Sequence, residues 1–188
     1  MQNIRGTSFV AASLLAALCL PVWGGEVSAP GIPNFHQVND HVYRGAQPRH
    51  EGWGSLAKLG VKTVIDLRES SEQERREVEA AGMRYVGMPL SGIAAPPPDK
   101  IARLLELLTD SPDPVFVHCR RGADRTGTLI ACYRIQHDGW KNERALAEAK
   151  AYGMAGFEIA MQRFVLGFQP PIPATIQAAA APSATTLK

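Results

Sequence analysis

An α/β sandwich of three layers, a mostly parallel central sheet flanked by helices, is the fold this sequence predicts. Three observations carry that prediction. Short apolar runs of strand type alternate with longer amphipathic runs along the chain. "PVFVHC" (114–119) is a strand rich in buried-type residues. "RTGTLIACYRIQHDG", which follows it, is a helix apolar on most sides, as expected of one packed against a sheet.

The elements follow in order. "HVYRGAQP" (41–48) reads as a short strand and a turn, and "EGWGSLAKLG" (51–60) carries Trp53, Leu56 and Leu59 at near-helical spacing with Gly60 as terminator. "VKTVIDL" (61–67) is a β-branched strand. Ser71 and Glu74 make a capping-box pattern that opens a charged surface helix ending at Gly82. "MRYVGMPL" (83–90) is the next strand, and the prolines of "SGIAAPPP" resist regular structure. Asp99 is placed to cap "KIARLLELL", whose Ile101, Leu104, Leu105 and Leu108 form one stripe. After the central strand and its helix, Asn142 is placed to cap "ERALAEAKAYGM", and "FEIAMQRFVLGF" forms the last helix.

Both ends read differently. Arg5 precedes the apolar run "FVAASLLAALCLPVW" and the small residues after it, the pattern of a secretory signal peptide over residues 1–24. Cleavage is placed at Gly24 or nearby, with Ala29 as the alternative. The apolar stretch is shorter than the roughly 20 residues of a spanning helix, and Cys19 lacks the small residue before it that a lipid anchor needs. Export to the periplasm or the medium, with no stable membrane insertion, is the expectation. Residues 30–168 are then the folded domain, and 169–188 a Pro/Ala/Thr-rich tail with little to bury, read as disordered.

The 188 residues carry a formal charge of +2, which does not mark a nucleic-acid binder, and the five histidines show no zinc-ligand spacing. Neither a metal nor a cofactor is expected. Cys132 lies about 10 Å along its helix from Arg125, beyond the roughly 7 Å a disulfide spans. Cys132 is therefore read as a core residue and Cys119 as a free thiol.

Chemistry is expected beyond the carboxyl ends of the strands, where Cys119 sits. Arg120, Arg121, Gly122, Ala123, Asp124 and Arg125 can curl so that successive backbone N–H groups meet at the positive end of the next helix, a concavity that binds phosphate. Arg125 adds a planar fork for two phosphoryl oxygens. Cys119, on the floor, is expected as a thiolate placed for in-line attack on phosphorus. His118 raises a Cys–His protease reading, but adjacent strand residues face opposite ways, so it is read as bracing the loop from behind. Thr126 is positioned to donate its hydroxyl to the sulfur.

"HCRRGADRTG" resembles the active-site loop of the protein tyrosine phosphatase superfamily: His-Cys, five residues, then Arg-Thr-Gly. With "VYRGAQP" and "LGVKTVIDLRE" it is similar to the small bacterial dual-specificity phosphatases, over roughly residues 35–155. The resemblance implies the dual-specificity phosphatase fold and a monomeric enzyme hydrolysing phosphate monoesters. Cys119 would form the phosphocysteine, and Arg125 would bind phosphate and stabilise the transition state. The expected partners are phosphorylated proteins, with a phosphorylated small molecule or lipid as the alternative.

The general acid departs from the pattern, because the loop after "MRYVGMPL" holds no carboxylate. Asp99, at its end, is adequately explained as a helix cap. Asp124 is the better candidate, since superfamily members such as the myotubularin lipid phosphatases carry an aspartate just before the loop arginine, where it has been assigned the proton-donor role. A salt bridge that organises the loop is the other role open to it. Arg120 and Arg121 form either a solvated rim or a site for a second phosphate, as on a phosphoinositide or inositol phosphate. Asp66 and Arg68, near the end of the second strand, either line the site or pair with each other, and the pairing is preferred. Competing readings are a rhodanese-type sulfurtransferase, disfavoured by loop length and the Arg-Thr-Gly ending, and a non-catalytic phosphate-binding module, disfavoured by the presence of both Cys119 and Arg125.

Overall fold

Residues 27–170 are described by a computed structural model; the signal expected over 1–24 and the tail after residue 170 lie outside the described residues. Five strands form one sheet: β1 (His36–Gln37), β2 (Val42–Ala46), β3 (Thr63–Asp66), β4 (Arg84–Gly87) and β5 (Val115–Cys119), in the order β1-β2-β5-β3-β4. β1 runs antiparallel to β2 and every other pairing is parallel. All positions of β2, β3 and β5 are buried, as a sheet covered on both faces demands.

Helices α1 (His50–Lys58) and α2 (Glu72–Ala80) cover one face, packing Trp53, Leu56 and Val78 against Tyr43, Val64 and Phe116. Helices α3 (Pro98–Thr109) and α4 (Asp124–Gln136) cover the other, where Leu104, Leu105, Leu129 and Ile130 meet Val42, Ile65 and Val117. Burying each such aliphatic side chain stabilises the fold by about 1.5–3 kcal/mol. Helices α5 (Asn142–Ala151) and α6 (Ile159–Gly167) pack outside α4 through Ala145, Ala149 and Val165. α4 is thus enclosed by sheet and helices, which explains its lack of a polar face: ten of its residues are buried. Among the described residues no helix is long and apolar enough to cross a membrane.

Three local expectations are corrected. α3 starts at Pro98, because proline at the first helical position forfeits no hydrogen bond; Asp99 is consequently an exposed second-position residue and no cap. Asn142 is the first residue of α5, and its amide donates to the carbonyls of Val165 (2.8 Å), Leu166 (3.2 Å) and Phe168 (2.8 Å), fastening the end of α6. Ser71 does cap α2 by accepting from the Glu74 amide at 3.3 Å, but the Glu74 side chain turns into the protein and is buried.

Candidate active site

β5 and α4 are joined by only Arg120–Ala123, so Cys119, buried at the end of the central strand, lies directly below the first turn of the helix. Strand alternation decides which side each neighbour takes. Cys119 lies on the α3/α4 face with Val115 and Val117, while His118 stacks on Phe116 (centroids 5.5 Å apart) on the α1/α2 face.

The loop's carbonyls show how it is held. Arg120 O accepts from the Gln47 amide at 3.4 Å, Arg121 O from Asn34 Nδ2 at 3.2 Å, and Gly122 O from both Asn34 Nδ2 (3.1 Å) and Arg44 Nη2 (2.7 Å). Three successive carbonyls are therefore pinned from outside. In a trans peptide the following N–H points the opposite way, and no peptide bond here is cis, so the amides of Arg121, Gly122 and Ala123 are directed inward. None of them donates a hydrogen bond to the described residues. The free N–H groups of the first turn of α4 add to them. This is the geometry of an oxyanion nest. Gly122 makes the curl possible: its φ is +67°, and a β-carbon there would fall onto the backbone of Gly45 and Ala46.

Arg125, half-buried, reaches from α4 towards the end of β3, its Nη1 3.4 Å from Leu67 O. Asp124 is buried; its Oδ1 accepts from the Ala155 amide at 2.9 Å and its Oδ2 is paired with Arg121 Nη2 at 2.5 Å. The arrangement is that of the loop-organising salt bridge, one of the two roles expected for this residue. Arg120 and Arg121 are exposed at the rim. Thr126 is fully buried, but its hydroxyl has no hydrogen-bond partner among the described residues, so the expected bond to the sulfur is not made. Asp99 lines a groove with Arg163, Phe164 and Phe168, and none of residues 119–126 shares that groove.

Sequence reasoning missed the layer behind the loop. Asp66 and Arg68 pair as expected, through Nε–Oδ1 (2.9 Å) and Nη2–Oδ2 (2.8 Å), and the same guanidinium bonds Glu74. Glu74 Oε1 lies 3.0 Å from His118 Nε2, and Tyr85 donates to Asp66 at 3.1 Å. Burial would raise the Asp66 carboxyl, but the bonds from Arg68 and the nearby His118 outweigh it and hold the group below the usual aspartate range. Asp66, Glu74 and His118 lie within 4.8 Å of one another, a metal-ligand grouping by type. The Arg68 guanidinium already occupies the place a cation would take between the carboxylates. Cys132 is a free core thiol that burial pushes up to about 12.

A parallel sheet whose central strand ends in a cysteine under inward amides, with an arginine at the start of the following helix, defines a cysteine-dependent phosphatase of the dual-specificity type. Residues 27–167 match the protein-family model described as DSP-PTPase phosphatase fused to NAD+ kinase, and the chain belongs to that family. It is similar to the dual specificity protein phosphatase TpbA of Pseudomonas aeruginosa (strain UCBPP-PA14), 29% identical over 155 residues, covering 76% of this chain and 70% of TpbA. It also resembles the inositol diphosphatase DSP5 of Arabidopsis thaliana, 32% identical over 117 residues, which are 58% of this chain and 57% of that protein. The crystal structure of P. aeruginosa TpbA superposes with a TM-score of 0.66 at 25% identity, covering 75% of this chain and 92% of that one.

Proposed function

We propose that the protein is a dual-specificity protein phosphatase working through a phosphocysteine intermediate. The observation that carries this reading is the outward pinning of the Arg120, Arg121 and Gly122 carbonyls, which leaves inward amides above Cys119. In the first step the Cys119 sulfur attacks phosphorus, the S–P bond forms and the P–O ester bond breaks. The loop amides and Arg125 hold the equatorial oxygens, on which negative charge persists. Asp124 is assigned the proton donor to the leaving oxygen; Oδ2 becomes available when the exposed Arg121 turns from it to the incoming phosphate. In the second step water attacks phosphorus and passes a proton to the Asp124 carboxylate, the S–P bond breaks, and inorganic phosphate leaves with the cysteine sulfur restored. The signal pattern read over residues 1–24 supports an activity in the periplasm or the medium, which N-terminal sequencing of the exported protein checks.

The test is a panel of phosphotyrosine and phosphothreonine peptides, phosphoinositides and inositol phosphates, run on wild type and Cys119→Ser. Turnover confined to the wild type supports the assignment, and turnover by the serine variant removes it.

One observation favours a second reading, an inositol phosphate or diphosphate as substrate. Both oxygens of Asp124 are engaged, and the loop after β4 offers no carboxylate. Cleaving a phosphoanhydride expels a phosphate, which needs far less protonation than an alkoxide. The relative DSP5 is an inositol diphosphatase. Faster turnover of a diphosphoinositol than of any phosphopeptide selects this reading.

A further inference from the structure

Arg44 is a fully buried arginine in the middle of β2, on the same side of the sheet as Cys119. It is among the largest fully buried side chains of the described residues, and its Nη2 donates to Gly122 O at 2.7 Å from behind the phosphate loop. Among the described residues its Nε and Nη1 have no hydrogen-bond partner, and its guanidinium lies over the Tyr152 ring at 4.9 Å. Among the described residues no carboxylate lies within ion-pair distance of it. The acidic group acting on it most strongly, Glu148 of α5, is already held by Arg134 of α4 at 2.9 Å. Burial, opposed by Glu148, Tyr152 and Cys119, lowers the guanidinium to about 10, which leaves it charged at neutral pH.

A buried cation with no counter-ion is costly, and folds keep one only where something compensates it. At this site the groups that can carry the opposing negative charge are the Cys119 sulfur and the phosphoryl group it receives. We propose that Arg44 is a positioning residue of the phosphate loop: it fixes the Gly122 carbonyl outward and supplies, from behind, the permanent positive charge against which the Cys119 sulfur and the bound phosphate are set. The inference rests on the phosphatase reading for its purpose, but not for its physics. Arg44 touches no substrate. It acts through Gly122 and through the field at Cys119.

The test compares wild type with Arg44→Lys, which keeps the charge, and with Arg44→Met and Arg44→Gln, which remove it. Thermal unfolding first establishes which variants fold. Two quantities are then read at pH 6: the rate of Cys119 alkylation by iodoacetamide, and the protection against it by inorganic phosphate. The neutral variants are expected to alkylate roughly tenfold more slowly and to need roughly tenfold more phosphate for protection, with Arg44→Lys within about threefold of wild type. Neutral variants that alkylate and bind phosphate like wild type overturn the proposal. So do lysine and neutral variants that lose equally, since the charge that lysine retains would then contribute nothing. If both neutral variants fail to fold while the lysine variant folds, the charge serves folding, and the positioning role is overturned. Alkylation needs no turnover, so a wild type that alkylates quickly yet hydrolyses nothing counts against the phosphatase reading and leaves Arg44 standing.

Discussion

The carboxylate of Asp124 bonds the backbone amide of Ala155 at 2.9 Å across 31 residues of sequence, while its second oxygen holds Arg121. One side chain thereby joins the loop, the first turn of α4 and the segment between α5 and α6. Asparagine can keep the Ala155 bond but cannot donate as an acid or pair with Arg121 as an anion. With an alkyl phosphate, Asp124→Asn is expected to lose about 100-fold in kcat. With p-nitrophenyl phosphate, whose leaving group needs little protonation, the loss should stay below about tenfold. An unchanged kcat with the alkyl ester would leave Asp124 the loop clamp alone.

Gly122→Ala tests the curl itself. The φ of +67° strains any side chain, and the added carbon would push against backbone atoms of Gly45 and Ala46, which have no rotamer to yield. The expected cost is about 1–3 kcal/mol of stability. Phosphate protection of Cys119 should fall further than the change in stability explains, because the amides would no longer converge. A variant with wild-type phosphate affinity would show that the nest does not depend on this conformation.

Among the described residues, the four parallel strands and the six helices were legible because each is announced by a local pattern of apolar residues. β1 was not: two residues, half-buried and exposed, carry no period, and only pairing with Arg44 and Tyr43 defines them. The site divides in the same way. Cys119 and Arg125 sit within seven consecutive residues, so the loop that holds them could be read directly. Its supports come from Asn34, Arg44 and Glu74, far away in sequence, and no local rule couples them to it. Arg44 did leave a signal, a charge inside an otherwise buried-type strand. Glu74 was masked by its fit to a capping box, a pattern that says nothing about where the side chain goes when a buried histidine and arginine compete for it.

The Asp66 carboxyl is held below its unfolded value, so the native state binds fewer protons there than the unfolded chain does. Its contribution is complete above the unfolded pKa of about 3.9 and is lost as pH falls through the lower native value. At pH 7, Asp66→Asn should be less stable than wild type, since Arg68 loses a buried anionic partner. The gap is expected to narrow steadily below about pH 4. Urea midpoints of both proteins at pH 7, 4 and 3 measure it, and parallel curves would remove Asp66 from the acid response.

Of the two cysteines in the described residues, only one should react. Cys132 is fully buried and its thiol is pushed up to about 12, so at pH 7 it stays protonated and unreactive. Iodoacetate is expected to modify Cys119 alone, because its carboxylate is drawn into the same nest as phosphate. Inorganic phosphate should slow that modification. Peptide mapping reads both outcomes, and labelling of Cys132 at a comparable rate would place the anion site elsewhere.

Asn34 is the residue on which three segments converge. Its Nδ2 donates to Arg121 O, Gly122 O and Tyr152 O within 3.0–3.2 Å, and its Oδ1 meets His36 Nε2 at 3.0 Å. It holds φ at +51°, a left-handed conformation asparagine tolerates better than most residues. Backbone and side chain can therefore be separated experimentally. Asn34→Gly keeps the conformation and removes the amide, whereas Asn34→Ala removes the amide and adds strain of about 1 kcal/mol. If the amide orients the loop, both variants should weaken phosphate binding by a similar factor, about tenfold for the lost bonds to two pinned carbonyls, while only alanine lowers the thermal midpoint further. A glycine variant with wild-type phosphate affinity would assign Asn34 to its turn and leave the loop to Arg44 and Gln47.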